Sequence, residues 1–213
     1  MTLKQKVLAA AMATAIPAGQ SGLWYVKKCV LRKPILVTHE GKIKTVPPGN
    51  YTKLFRWTDS TLHLNEGECV MHDTPEELQT HLDFMLRAKG RVLITGLGLG
   101  CVVRGCLANP AVERVTVVEL SADVLKLVWP HMPQDPRLIV VRDDARKFVK
   151  RRNTEFDVAW HDLWTDRDAG EPHLALWHME MMCDLAGKVQ MQGAWAFPRY
   201  FRRISKHDAF KMI

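Results

Sequence analysis

From Arg91 onward, short apolar runs alternate with segments of helical length. The runs R-V-L-I-T, R-V-T-V-V-E, L-I-V-V-R, F-D-V-A-W-H and A-W-A-F have the near-continuous hydrophobicity of strands buried on both faces. Between them lie C-V-V-R-G-C-L-A, A-D-V-L-K-L-V-W and A-R-K-F-V-K-R-R. This alternation predicts an α/β domain over residues 73–213, with a doubly wound, mostly parallel sheet and right-handed crossovers. Its first helix opens at D-T-P-E-E-L, with Asp73 or Thr74 as cap, Pro75 in the first turn and Glu76 and Glu77 against the positive helix end. Gly90 is expected to end it.

Residues 1–72 have a different rhythm. Extended pieces, L-W-Y-V-K-K-C-V-L, P-I-L-V-T-H, K-I-K-T-V, Y-T-K-L-F-R-W-T and T-L-H-L, are separated by turn residues and predict a small antiparallel sheet, with Glu40 and Gly41 as a hairpin turn. The alanine-rich start reads as a short helix ending before Pro17, since alanine is the strongest helix former. Lys4 and Lys6, the run V-L-A-A-A-M-A-T-A-I and the small residues P-A-G-Q-S also have the order of a secretory signal.

Composition narrows the class. At 213 residues and 47% hydrophobic, the chain can bury a full core. No apolar run approaches the roughly 18 residues of a membrane-spanning helix, so no membrane partner is expected. The five cysteines form no C-x-x-C pair, which favours free thiols and a cytoplasmic setting. The net charge of +7 concentrates at Lys27, Lys28, Arg32 and Lys33, at Lys147, Lys150, Arg151 and Arg152, and at Arg199, Arg202, Arg203 and Lys206. Such clusters admit a nucleic acid or another polyanion as partner, and equally a solvated basic face. The composition also leaves room for a homodimer.

Candidate chemistry begins where the first parallel strand ends, in T-G-L-G-L-G. A glycine-rich turn there lets a ligand approach the backbone of Gly96, Leu97, Gly98 and Gly100. The spacing departs from the dinucleotide fingerprint G-x-G-x-x-G, whose last glycine would fall at Cys101, and no G-K-[ST] follows. Glu119 ends the second strand about twenty residues later, where such folds place an acid to accept ribose hydroxyls, with Leu120 beside it. His161, His173 and His178 crowd Asp162 and Asp166, yet their spacing matches no zinc pattern, and no metal is expected. Trp160, Trp164, Trp177 and Trp195 read as core, or as stacking surfaces.

From Glu76 to Asp162, the order V-L-I-T-G-L-G-L-G, N-P-A-V-E-R-V-T-V-V-E-L, D-P-R-L-I-V-V-R-D-D-A-R-K-F, F-D-V-A-W-H-D resembles the class I S-adenosylmethionine-dependent methyltransferases, within them the spermidine-synthase-like branch. Ile94, two residues before the first glycine, is apolar as in that branch. The resemblance implies a Rossmann-like methyltransferase fold with S-adenosylmethionine as cofactor. Gly96, Leu97, Gly98 and Gly100 would line its methionine part and Glu119 with Leu120 the ribose. Asp143 or Asp144, with Ala145, would meet the adenine. Asp162, at the carboxyl end of the fourth strand, would be the catalytic or acceptor-orienting acid beside the cofactor. The expected activity is methyl transfer to an unknown small-molecule or macromolecular acceptor. The alternatives are a spermidine-synthase-like aminopropyltransferase and a non-catalytic nucleotide-binding module with a basic surface. Where spermidine synthases carry a D-S-S-D-P-like run, this chain has D-L-W-T-D; the D-P-P-Y-like motif of amino methyltransferases acting on bases is absent. A substrate lid is expected from the N-terminal segment.

Overall fold

A computed structural model describes residues 1–39, 42–58, 66–151, 156–163, 180–185 and 188–194. The chain opens with α1 (Leu3–Ala11), then β1 (Gly19–Ser21), β2 (Trp24–Leu31), β3 (Ile35–His39), β4 (Lys42–Val46), β5 (Gly49–Arg56) and β6 (Glu68–His72). Helix α2 (Pro75–Arg87) leads into β7 (Gly90–Thr95), α3 (Cys101–Leu107), β8 (Val112–Glu119), α4 (Ala122–Val128), β9 (Leu138–Arg142), α5 (Ala145–Arg151), β10 (Val158–His161) and β11 (Met191–Ala194).

The expected parallel sheet is present, five-stranded in the order β11-β10-β7-β8-β9. The order reverses beside β7, which places a ligand crevice at the carboxyl ends of β7, β8 and β10. Its central strands are filled with buried apolar residues; Leu93, Val115 and Ala159 are wholly buried, each of the larger ones contributing about 1.5–3 kcal/mol relative to exposure. The N-terminal strands form the antiparallel sheet β1-β2-β5-β6 and the hairpin β3-β4. T-L-H-L lies outside the described residues, and β6, from E-C-V-M-H, fills the edge beside β5 instead.

Several local expectations change. Thr74 is the N-cap residue of α2, but its hydroxyl makes no cap bond and pairs with His72 Nδ1 at 2.9 Å. Asp73, wholly buried, accepts from the Ala13 and Thr52 amides at 2.9 and 2.6 Å. The cap candidates thus tie the N-terminal segment to β5 and α2. Gly90 does not end α2, which stops at Arg87; Gly90 begins β7 at φ 61°, where a side chain would collide with Asp157. Strand β11 starts at Met191, earlier than the A-W-A-F run suggested; Gly193 lets it approach β10, since a Cβ there would lie 2.9 Å from the Trp160 ring. Residues 195–197 of that run lie outside the described residues. The alanine-rich start is a helix in the core: Thr2 closes a capping box with Gln5, and Val7 and Ala11 are wholly buried in the cluster that also holds Leu54 and Ile94. No helix among the described residues is long and apolar enough to cross a membrane.

Candidate active site

The glycine loop between β7 and α3 is shaped by its protein neighbours. Gly96, Gly98 and Gly100 all have positive φ, at 90°, 50° and 73°, a region costly for residues with a Cβ. At Gly96 a side chain would run into the carbonyl oxygen of Asp162, so glycine brings the ends of β7 and β10 together. At Gly98 a Cβ would lie 2.6 Å from the Met71 sulfur.

Glu119, 8% exposed at the end of β8, accepts from the Leu97 amide through Oε2 at 2.8 Å and from the Ser121 amide through Oε1 at 2.7 Å. Burial raises its pKa, while those backbone donors act in the opposite direction. Ser121 caps α4 by accepting from the Val124 amide, so Glu119 supports the helix start without being its cap.

A cleft of about 420 Å³ opens over these residues. Gly96, Gly98, Glu119, Leu120, Asp143, Asp144, Ala145 and Asp162 line it, eight of the expected site residues together. Leu97 and Gly100 do not. The Leu97 side chain is 3% exposed in the core, because the positive φ of its neighbours turns only backbone toward the crevice, and Gly100 packs against the Met132 sulfur. Asp143 and Asp144 are both occupied by arginines: Asp143 binds Arg151, and Asp144 binds Arg146 at 2.9 Å, which holds its carboxyl below the usual carboxylate range. Neither acid is distinguished by position, since both line the cleft.

Asp162 follows β10 and its amide donates to the Thr95 carbonyl at 2.9 Å. Its carboxyl is pushed up to about 6, chiefly by burial, with Glu77 and Glu119 adding to the rise and His81 opposing it. His81 is wholly buried, edge-on to Trp160 at 5.5 Å, with Nε2 3.7 Å from Glu77. Neither His81 ring nitrogen nor the Trp160 indole nitrogen has a hydrogen-bond partner among the described residues. His161 points elsewhere, to Thr95 Oγ1 at 2.9 Å and Gln192 at 3.4 Å. His173, His178, Asp166, Trp164, Trp177 and Trp195 lie outside the described residues.

The opposite wall comes from the N-terminal sheet: Trp24, Leu54, Arg56, Val70 and Met71. Residue-level sequence reading did not single them out, because they reach the cleft only through tertiary packing. The pairing of Trp24 with Arg56 across β2 and β5 carries a guanidinium 5.4 Å from the indole.

Fold and cleft define a Rossmann-like α/β domain whose crevice lies at the carboxyl ends of its parallel strands. Within it, residues 73–193 match the spermine/spermidine synthase domain, and the chain belongs to that family. It is similar to a polyamine aminopropyltransferase of Ruegeria sp. (strain TM1040), 28% identical over 174 residues, covering 73% of this chain and 60% of that protein. A polyamine aminopropyltransferase of Leptospira biflexa serovar Patoc is 25% identical over 190 residues, 80% of this chain and 65% of the relative. The chain thus spans less than two thirds of the length of these relatives. Among solved structures, spermidine synthase from Thermotoga maritima aligns with TM-score 0.43 and 21% identity, over 70% of this chain and 47% of that one.

Proposed function

We propose that the protein is an aminopropyltransferase, moving an aminopropyl group from decarboxylated S-adenosylmethionine to an amine acceptor. The observation that carries this reading is the family match over residues 73–193, which contains every acid of the cleft. The charge pattern supports it. Asp143 and Asp144 are neutralised by arginines, whereas Glu119 and Asp162 have no lysine or arginine partner among the described residues. Two uncompensated acids beside the glycine loop suit a cationic donor and an amine.

When bound, the sulfonium donor supplies an activated carbon: the acceptor nitrogen forms the new C–N bond as the C–S bond breaks, and sulfur keeps the electron pair as a neutral thioether. The protein's part is alignment and proton removal. In this reading Glu119 holds the ribose, Asp143 or Asp144 with Ala145 meets the adenine, and Gly96 and Gly98 admit the sulfonium chain. Asp162 takes the proton from the acceptor ammonium. Its pKa of about 6 leaves it mostly ionised at neutral pH, yet more basic than an ordinary aspartate.

Methyl transfer from S-adenosylmethionine is the second reading, favoured by one departure: D-L-W-T-D stands where the spermidine synthases have a D-S-S-D-P-like run. One experiment separates the two. Purified protein is supplied with either donor and a set of aliphatic diamines, and products are resolved by mass spectrometry. Aminopropyl transfer releases methylthioadenosine and adds a three-carbon amine to the acceptor; methyl transfer releases adenosylhomocysteine. Adenosylhomocysteine alone would overturn the aminopropyl reading.

A further inference from the structure

The charged side chains that line the cleft are Arg56, Glu119, Asp143, Asp144, Arg146 and Asp162. Arg146 holds Asp144 and Arg151 holds Asp143, which leaves Glu119, Asp162 and Arg56 without an ion-pair partner among the described residues. The two acids suit a cationic donor and an amine. Arg56 suits neither.

Arg56 lies two residues after Leu54 on β5, so both side chains face the same way, Leu54 wholly buried and Arg56 exposed where it lines the cleft. Trp24, its partner in the β2–β5 register, has its ring centroid 5.4 Å from the guanidinium carbon. A guanidinium over an indole is held by the ring, while its N–H groups, which lie in its own plane, stay free for a planar, bidentate partner. Glu68, opposite Arg56 on β6, makes no ion pair with it and does not line the cleft. The rest of this wall, Trp24, Leu54, Val70 and Met71, contains no acid.

That distribution of charge discriminates among amines. With its reacting amine at Asp162, a diamine has a second ammonium at its far end, and along this wall the second ammonium meets a like charge and no carboxylate. Glu119 is already engaged by the Leu97 and Ser121 amides. A carboxylate at the far end meets instead a guanidinium with free N–H groups, the partner of the strong charge-assisted hydrogen bonds. The decarboxylated donor has no carboxylate of its own, so the negative group belongs to the acceptor.

We propose that Arg56, stacked on Trp24, is a carboxylate subsite, and that the acceptor is an amine carrying a carboxylate, an amino acid in place of a diamine. This rests on the reading that an amine accepts the aminopropyl group and gives its proton to Asp162. Arg56→Gln removes the charge and the fork of N–H groups, and Arg56→Glu reverses the charge.

Wild type and both variants, each checked for folding by thermal unfolding, would be supplied with decarboxylated S-adenosylmethionine and three acceptor series: aliphatic amino acids with the amine at increasing distance from the carboxylate, and the diamines and monoamines of matching carbon count. Products are followed by mass spectrometry. At the best length, wild type should use the amino acid in preference to the monoamine, and the monoamine in preference to the diamine. Arg56→Gln should lower the ratio of amino-acid to monoamine kcat/KM by about tenfold or more, the scale of a hydrogen bond between charged groups, and Arg56→Glu should turn the preference toward the diamine. A diamine as the best acceptor of wild type, or an unchanged ratio in folded Arg56→Gln, overturns the proposal and leaves aminopropyl transfer standing. Where no acceptor is consumed, each is titrated by calorimetry onto protein saturated with methylthioadenosine. An amino acid that binds wild type and is lost in Arg56→Gln upholds the subsite and overturns the transfer reading; no bound acceptor overturns the proposal. A carboxylate could also come from S-adenosylmethionine. If Arg56→Gln weakens binding of S-adenosylmethionine but not of the decarboxylated donor, and leaves the amino acids unaffected, the subsite serves a donor and the proposed acceptor class is overturned.

Discussion

The Leu97 N–H donates to Glu119 Oε2 at 2.8 Å, so the turn after β7 and the end of β8 are joined through one carboxylate. Glu119 thereby shapes the loop as well as facing the cleft. Glu119→Ala should leave two amides without their acceptor, at about 1–3 kcal/mol for each that is buried. The unfolding midpoint should fall, and affinity for methylthioadenosine should drop by about tenfold or more, because the loop geometry is lost together with the ribose acceptor of the proposed reading. Calorimetry paired with thermal unfolding checks both. An unchanged midpoint would show that the loop is held by other contacts.

Gly98 and Met71 should behave as a coupled pair. Gly98→Ala places a Cβ 2.6 Å from the Met71 sulfur at φ 50°, adding a collision to a left-handed backbone that costs about 1–2 kcal/mol for a residue with a Cβ. In the double variant Gly98→Ala/Met71→Ala the collision disappears and the backbone cost remains. A double-mutant cycle by chemical denaturation should therefore give less than additive destabilisation. Strict additivity would count against the packing.

The loop, Glu119 and Asp162 were legible in the sequence because each belongs to a local pattern: a strand end, a turn, an acid at fixed spacing. The wall facing them was not. Trp24, Leu54 and Arg56 sit in strands whose alternation predicts a sheet but not where that sheet docks, and docking depends on contacts such as Ser21 with Asp123, 102 residues apart. Gly100 shares the glycine pattern of Gly96 and Gly98, yet neither it nor Leu97 lines the cleft, because local spacing does not show the twist of the turn that sends Leu97 into the core. His81 reads as one more helix residue until α2 packs it edge-on to Trp160.

The Ser21 hydroxyl donates to Asp123 Oδ1 at 2.7 Å, fastening β1 to α4 beside the strand that carries Trp24. Ser21→Ala should loosen this wall at a cost of about 1 kcal/mol. Methylthioadenosine affinity should fall by several-fold, with a smaller effect on the unfolding midpoint than Glu119→Ala produces. Asp123→Ala should add little once Ser21 is gone. Independent effects of the two changes on affinity would mean that the hydrogen bond does not hold the wall.

Asp162 sets stability against activity. Its folded-state pKa of about 6 lies above the ordinary value of 3.8, so the folded protein binds this proton more tightly than the unfolded chain does. Between those two pH values stability falls as pH rises, and above pH 6 the ionised carboxylate costs about 3 kcal/mol relative to a neutral group. Asp162→Asn keeps the shape and removes the charge. It should raise the stability of the protein at pH 7 by up to that amount, and the gain should shrink through pH 6 and vanish below about pH 4. Turnover should move the other way, falling by about a hundredfold or more if Asp162 is the base, while affinity for methylthioadenosine stays within a few-fold, since the proposed reading puts Asp162 at the acceptor and not at the adenosine. In the wild type the same ionisation should appear as a loss of turnover as pH drops through about 6. Thermal unfolding across pH and a pH–rate profile test the two halves separately. A variant whose stability gain is the same at pH 4 and pH 7 would show that packing, not charge, is what changed, and full turnover in Asp162→Asn would remove the carboxylate from the chemistry.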